Sequence, residues 1–183
     1  MALTNSPDLI LAVDLDGSLL RGDLSLISVL ALLRQRPAFL LLLPVWLLAG
    51  RAAFKRKVAQ RVVIDPAGFG YHSEVLEFVR QQRALGRKTV LATGSDSLLA
   101  NPVADHLGCF DEVLASDGVL NNTGRRKGQA LVQHFGLKGY DYIGNSRVDI
   151  PVWQSAANVL VVSDKPQFCA HLAQQFEVTR VFN

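Results

Sequence analysis

The chain has 183 residues, 49% of them hydrophobic and 19% charged, which suits one globular domain with a small insert and excludes a disordered tail or a collagen-like repeat. The formal net charge of +3 is too small to argue for nucleic-acid binding, yet residues 21–61 hold eight Lys/Arg against one Asp, net +7. Two cysteines, Cys109 and Cys169, build no disulfide framework and match no zinc-site spacing, so they read as plain thiols of a reducing compartment, the cytoplasm.

Met1–Pro7 lacks the basic and apolar regions of a signal peptide, so none is expected. Asp8–Val13 (DLILAV) predicts a buried strand ending at Asp14. The next stretch, Leu24–Arg61, carries helical patterning and no strand signal. Asp23 can cap a helix to about Gln35, Pro37 suits the start of a second helix, and Pro44 should kink it. The apolar run Ala38–Ala49 within it has twelve residues, short of the roughly 20 needed to span a bilayer. Gly50 separates a third, basic helix over Arg51–Val62, and Asp65–Gly70 turns the chain back.

From there strands and helices alternate. Glu74–Leu85 predicts an amphipathic helix capped by Ser73, with Val75, Phe78, Val79 and Leu85 on one face. Strands follow at Lys88–Ala92, Glu112–Ala115, Tyr140–Ile143 and Asn158–Val162, with an edge strand at Glu177–Phe182. Helices are expected at Ser97–Leu107, Arg126–Phe135 and Pro166–Gln175. This alternation means βαβ units, hence an α/β fold with a parallel sheet and helices on both faces. Ligands of such sheets bind beyond the carboxyl ends of the strands.

At the end of the first predicted strand stands Asp14-Leu-Asp16-Gly-Ser18. Two adjacent anions are costly unless a cation lies between them or one is protonated. With a divalent cation, one carboxylate can act as nucleophile and the other as proton donor.

Val13–Leu20 (VDLDGSLL) resembles the first motif of the haloacid dehalogenase (HAD) superfamily of phosphatases. Leu91–Ser95 (LATGS) resembles the second, Lys127 at the head of KGQALV the third, and Gly144–Asp149 (GNSRVD) the fourth. A closer resemblance, carried by residues 21–59, 91–118 and 144–153, is to the HAD domain fused to the N-terminus of UbiA-type membrane prenyltransferases. The resemblance implies a HAD-like (Rossmannoid) core over residues 1–19 and 71–183, with a small helical cap over residues 20–70.

It also implies an activity: Mg2+-dependent hydrolysis of phosphomonoesters through an aspartyl-phosphate. Asp14 would be the nucleophile and Asp16 the general acid and base. Thr93 would hold phosphate oxygens and Lys127 would offset charge. Magnesium would be held by Asp14, the Asp16 carbonyl, Asn145 and Asp149. The fourth motif normally begins Gly-Asp, so Asn145 is a departure that removes one anion from the metal site.

Plainer readings stand beside these. Thr93 alone is a strand-end hydroxyl, Lys127 a solvated helix-start lysine, and Asp149 a turn residue before Pro151. His72, His106, His134 and His171 show no ligand spacing, and Asn121-Asn122 reads as a loop beneath the site. The basic helix with Arg51, Lys55, Arg56 and Lys57 is either a solvated face or a docking surface for an anionic membrane or a lipid-linked phosphate. That surface would place the protein at the inner face of the membrane. A rival reading is a catalytically weak interaction module serving a prenyltransferase; phosphoryl transfer by a mutase is a third.

Overall fold

The computed structural model describes residues 9–183. Alternation of side chains along the strands decides the architecture. In β1 (Ile10–Val13), Leu11 and Val13 join one buried cluster while Ala12 joins another. The same split recurs in β4 (Tyr140–Gly144), where Tyr142 and Ile143 go to opposite faces, and in β5 (Val159–Val162), where Leu160 and Val161 do. A sheet buried on both faces suits parallel strands. All pairings are parallel, in the order β3-β2-β1-β4-β5-β6, with β2 over Thr89–Asp96, β3 over Glu112–Ser116 and β6 over Val178–Phe182 at one edge. The fold is the expected α/β arrangement of a parallel sheet, and β1 lies between β2 and β4. Asp8, the expected start of the first strand, lies outside the described residues.

Helices α1 (Leu24–Gln35), α2 (Leu43–Leu48) and α3 (Arg51–Ala59) come between β1 and β2. The Asp23 carboxylate caps α1 by accepting from Leu26 N–H. Pro37 opens a 3-10 turn over Pro37–Leu41 rather than a full helix, and Pro44 lies in the first turn of α2 instead of kinking a longer one. A first-turn proline loses only an N–H that has no helical partner, so it starts a helix more readily than it bends one. Leu24, Leu32, Trp46, Val58 and Val62 share a cluster with Leu15, Leu19 and Leu91, which seats this helical segment on the carboxyl end of β1 and β2.

The remaining helices are α4 (Ser73–Ala84), α5 (Ser97–Leu107), α6 (Arg125–Phe135), α7 (Ile150–Trp153) and α8 (Pro166–Ala173). Ser73 does not cap α4; His72 occupies that position, without a side-chain cap. The His72 N–H is held by Leu19 O at 2.9 Å, which keeps that residue extended and lets the helix begin one residue early.

At the amino end of the strands, Arg87 is buried against Asp141 at 2.5 Å and also donates to the carbonyls of Leu9 and Ile10. Asp141 accepts from Asn158 as well, so this buried pair has the extra hydrogen bonds that a desolvated ion pair needs.

Candidate active site

β1 carries Asp14 to the carboxyl edge of the sheet, where its N–H bonds Ile143 O at 2.9 Å. The chain then winds tightly, with the N–H groups of Leu19 and Leu20 both bonded to Leu15 O. Gly17 closes this turn at φ +77, a left-handed conformation that favours glycine. A Cβ on Gly17 would collide with the Asn145 amide, so the fourth-motif loop packs directly on the first.

Both oxygens of Asp14 are fixed. Lys127 Nζ donates to Oδ1 at 2.6 Å and Ser18 Oγ donates to Oδ2 at 3.0 Å. Lys127 is buried at the start of α6, not solvated, and also donates to the Tyr142 hydroxyl at 2.9 Å. Tyr142 in turn donates to Asp149 Oδ1 at 2.8 Å. A chain of hydrogen bonds therefore runs from Asp149 through Tyr142 and Lys127 to Asp14.

Asp16 is held differently. Its Oδ1 accepts from Leu24 N–H at 2.6 Å; its Oδ2 accepts from Ser95 Oγ at 2.9 Å and Thr93 Oγ1 at 3.3 Å. The two hydroxyls reach it because the register of β2 against β3 shifts between Ala92 and Asp96. That irregular stretch is braced from below: Asn122 Nδ2 donates to Thr93 O and Leu114 O. It is braced from above by Lys55 of α3, which donates to Gly94 O at 2.6 Å.

Charge in this cluster is unbalanced. Asp14, Asp16 and Asp149 all bear on one buried ammonium. Burial would lower the Lys127 ammonium, but these carboxylates outweigh it and hold it above its ordinary value. Burial first, with Asp149 and Asp16 beside it, pushes Asp14 up to about 7 despite the lysine. Burial likewise raises Asp16, and it keeps the Tyr142 phenol well above its ordinary value, hence neutral.

A buried group of oxygens with surplus negative charge fits a hard divalent cation. Among the described residues no three His, Cys, Asp or Glu side chains gather as metal ligands. The oxygens offered at this end of the sheet are carboxylate, amide and main-chain, a set that suits Mg2+ more than Zn2+. Asp14 and Asp16 act on each other's charge, and the Asn145 amide lies against Gly17, the residue after Asp16. Asp149 instead turns inward: Oδ2 accepts from the N–H groups of Asn145 and Ser146 and from Ser146 Oγ, closing a capping box. It shapes the loop that carries Asn145.

Residues 11–154 match the haloacid dehalogenase-like hydrolases. The chain belongs to that family. An uncharacterized protein of Sinorhizobium fredii, y4nM, is 34% identical over 165 residues, 90% of this chain but 32% of that protein. The chain thus spans about a third of the length of this relative. Among solved structures, a Bordetella pertussis protein of unknown function superposes with a TM-score of 0.64 at 18% identity, covering 96% of this chain and 98% of that one. An apo phosphoserine phosphatase superposes with a TM-score of 0.62 at 14% identity, covering 96% and 93%. At these identities the solved structures speak for the shared HAD fold.

Several residues of the site escaped sequence reasoning. Tyr142 alternates with core residues in a central strand, so nothing marks it as polar chemistry. Ser95 lies beyond the expected end of its strand. Lys55 and Arg56 read as solvated or lipid-facing, yet Lys55 reaches Gly94 and Arg56 pairs with Asp96 at 3.0 Å. Two of the four clustered cations therefore serve the protein interior.

Proposed function

We propose that this chain is a Mg2+-dependent phosphomonoester hydrolase working through an aspartyl-phosphate. One observation carries the reading: two neighbouring carboxylates are given opposite surroundings. Asp14 is locked against an ammonium and a serine hydroxyl, while Asp16 meets two hydroxyls and a backbone N–H; burial raises both carboxyls, so the difference lies in their partners. Unequal environments of this kind separate a nucleophile from an acid.

In this mechanism an Asp14 oxygen attacks phosphorus and the ester P–O bond breaks. Asp16 gives its proton to the leaving oxygen, so an alcohol departs. Asp16 then takes a proton from water as that water attacks phosphorus, releasing phosphate and restoring both carboxyls. Lys127 balances charge on Asp14 and the phosphoryl group, while Thr93, Ser95 and the N–H groups of their stretch of β2 bind its oxygens. Mg2+, held by Asp14, the Asp16 carbonyl and Asn145, would neutralise phosphoryl charge. Asp149 supports this set through the loop.

The test is hydrolysis of an aryl phosphate with and without Mg2+. The wild-type chain should turn over only with the metal, and Asp14→Asn should lose at least about a hundredfold in rate. Absence of metal-dependent turnover in the wild-type chain would favour the interaction-module reading.

A second feature bears on where the substrate comes from. Leu41 and Leu48 are 81% and 89% exposed, and Leu40, Val45 and Leu47 are more than half exposed. Arg34, Arg36 and Arg51, all exposed, flank this stretch in sequence. Apolar side chains beside cations suit the boundary of an anionic bilayer, and so a lipid-linked phosphate or a membrane prenyltransferase partner. No described helix is long and apolar enough to cross a membrane.

A further inference from the structure

A cavity of about 720 Å³ opens beside the catalytic loop, and Gly17 and Asn145 form part of its wall. It therefore adjoins the cluster built on Asp14, and part of its wall, from Val162 to Phe168, comes from a segment the catalytic machinery does not use. Arg21 enters from the turn after β1, Arg147 from the loop after β4 and Lys165 from the segment before α8. All three are exposed, and no described carboxylate forms a salt bridge with any of them. Asp164 is the one acidic side chain in the lining.

Three unpaired cations converging from separate segments on one concavity make a site for an anion, because the confined space concentrates their field. His72 adds an unused polar group: it lines the cavity, and its Nδ1 is buried without a hydrogen-bond partner. Val162 and Phe168 supply an apolar wall for a carbon skeleton. By contrast, the space between α1, α3 and α5, near Lys55 and Asp96, is only about 10 Å³. A substrate body with its phosphate at Asp14 has the wider of these two spaces on the Asn145 side.

We propose that this cavity seats a second anionic group, a carboxylate or another phosphate, carried by the molecule whose phosphomonoester meets Asp14. The placement of the first phosphate rests on the phosphatase reading above; the cation pocket itself does not. The substrate class is thus a phosphate ester with two separated anionic ends, and Arg147 and Lys165 set its selectivity.

The test uses non-hydrolysable probes titrated calorimetrically into the whole chain at constant Mg2+: straight-chain phosphonocarboxylates and alkylene bisphosphonates of increasing length, against alkylphosphonates of matching length. At the best length, a two-ended probe should bind at least tenfold tighter than its one-ended partner. The carboxylate and bisphosphonate series distinguish the two kinds of second anion. In the double variant Arg147→Gln, Lys165→Gln that advantage should collapse; the side chains are exposed, and a melting curve checks folding. Equal binding of one- and two-ended probes at every length, or an advantage that survives in the folded double variant, overturns the proposal. Aryl phosphate turnover is measured in parallel. Turnover without two-ended preference sinks the pocket alone, whereas two-ended preference without turnover sinks the phosphatase reading alone.

Discussion

Lys55 Nζ donates to the carbonyl oxygen of Gly94 at 2.6 Å, and so ties helix α3 to the irregular end of β2 that holds Thr93 and Ser95. The same ammonium lies 3.4 Å from Asn121 Oδ1. One side chain from the helical segment thus sets the spacing between that segment and the hydroxyls around Asp16.

Replacing it by Lys55→Met keeps the length and removes the donor. A charged hydrogen bond to a part-buried carbonyl is worth about 1.5–3 kcal/mol, so stability should fall by that order. Turnover of an aryl phosphate should fall too, because Thr93 and Ser95 lose their brace, while Lys57→Met should do neither. Denaturant melts and initial rates on both variants check this. An unchanged rate in Lys55→Met would mean that this end of β2 is held without it.

Asp14 gives the protein a pH dependence of a definite sign. Its carboxyl is raised from 3.8 to about 7, chiefly by burial. A raised acid favours folding fully below about pH 4, and that contribution is lost as pH climbs through about 7. Metal-free protein should therefore weaken between pH 5 and pH 8, by on the order of 2–3 kcal/mol from this group. Asp14→Asn should flatten that slope and be the more stable protein at pH 8. Urea midpoints of both proteins in chelator across this range provide the measurement.

Asn145 packs on Gly17, where it can offer an amide oxygen but no charge. Asn145→Asp adds an anion at nearly constant volume. The Mg2+ concentration giving half-maximal activity should drop several-fold, because a hard cation gains a charged ligand. A Mg2+ titration of the rate decides it; an unchanged or higher requirement would place Asn145 away from the metal.

The exposed leucines together with Arg34, Arg36 and Arg51 should make the chain adsorb to anionic vesicles at low salt, release at high salt and ignore neutral ones. Leu41→Ser with Leu48→Ser should abolish sedimentation, since each buried methylene is worth about 0.8 kcal/mol. A wild-type chain that stays in the supernatant with anionic vesicles would leave this surface without a lipid role.

The strands, their parallel sense and the paired carboxylates of the first motif were legible in the sequence because each depends on local pattern. A buried parallel strand must be apolar along its length, and a carboxylate or hydroxyl at its carboxyl end stands out against that run. Asp14 and Asp16 are of this kind; Thr93 and Lys127 were marked by the resemblance to the family motifs, and the fold brings all four together. What only tertiary structure decided are contacts between segments distant in the chain. Whether Lys127 is solvated or buried depends on Asp14 and Tyr142, residues that neither helix periodicity nor charge count can bring beside it. The same holds for Lys55, whose helix has cations on several sides; which side faces inward was set by the packing of α3 against β2. Asp149 has the spacing of a ligand, yet the N–H groups of its own loop claim one of its oxygens. Local pattern specifies elements and their ends; the partner of each polar group is settled when those ends converge and water is excluded.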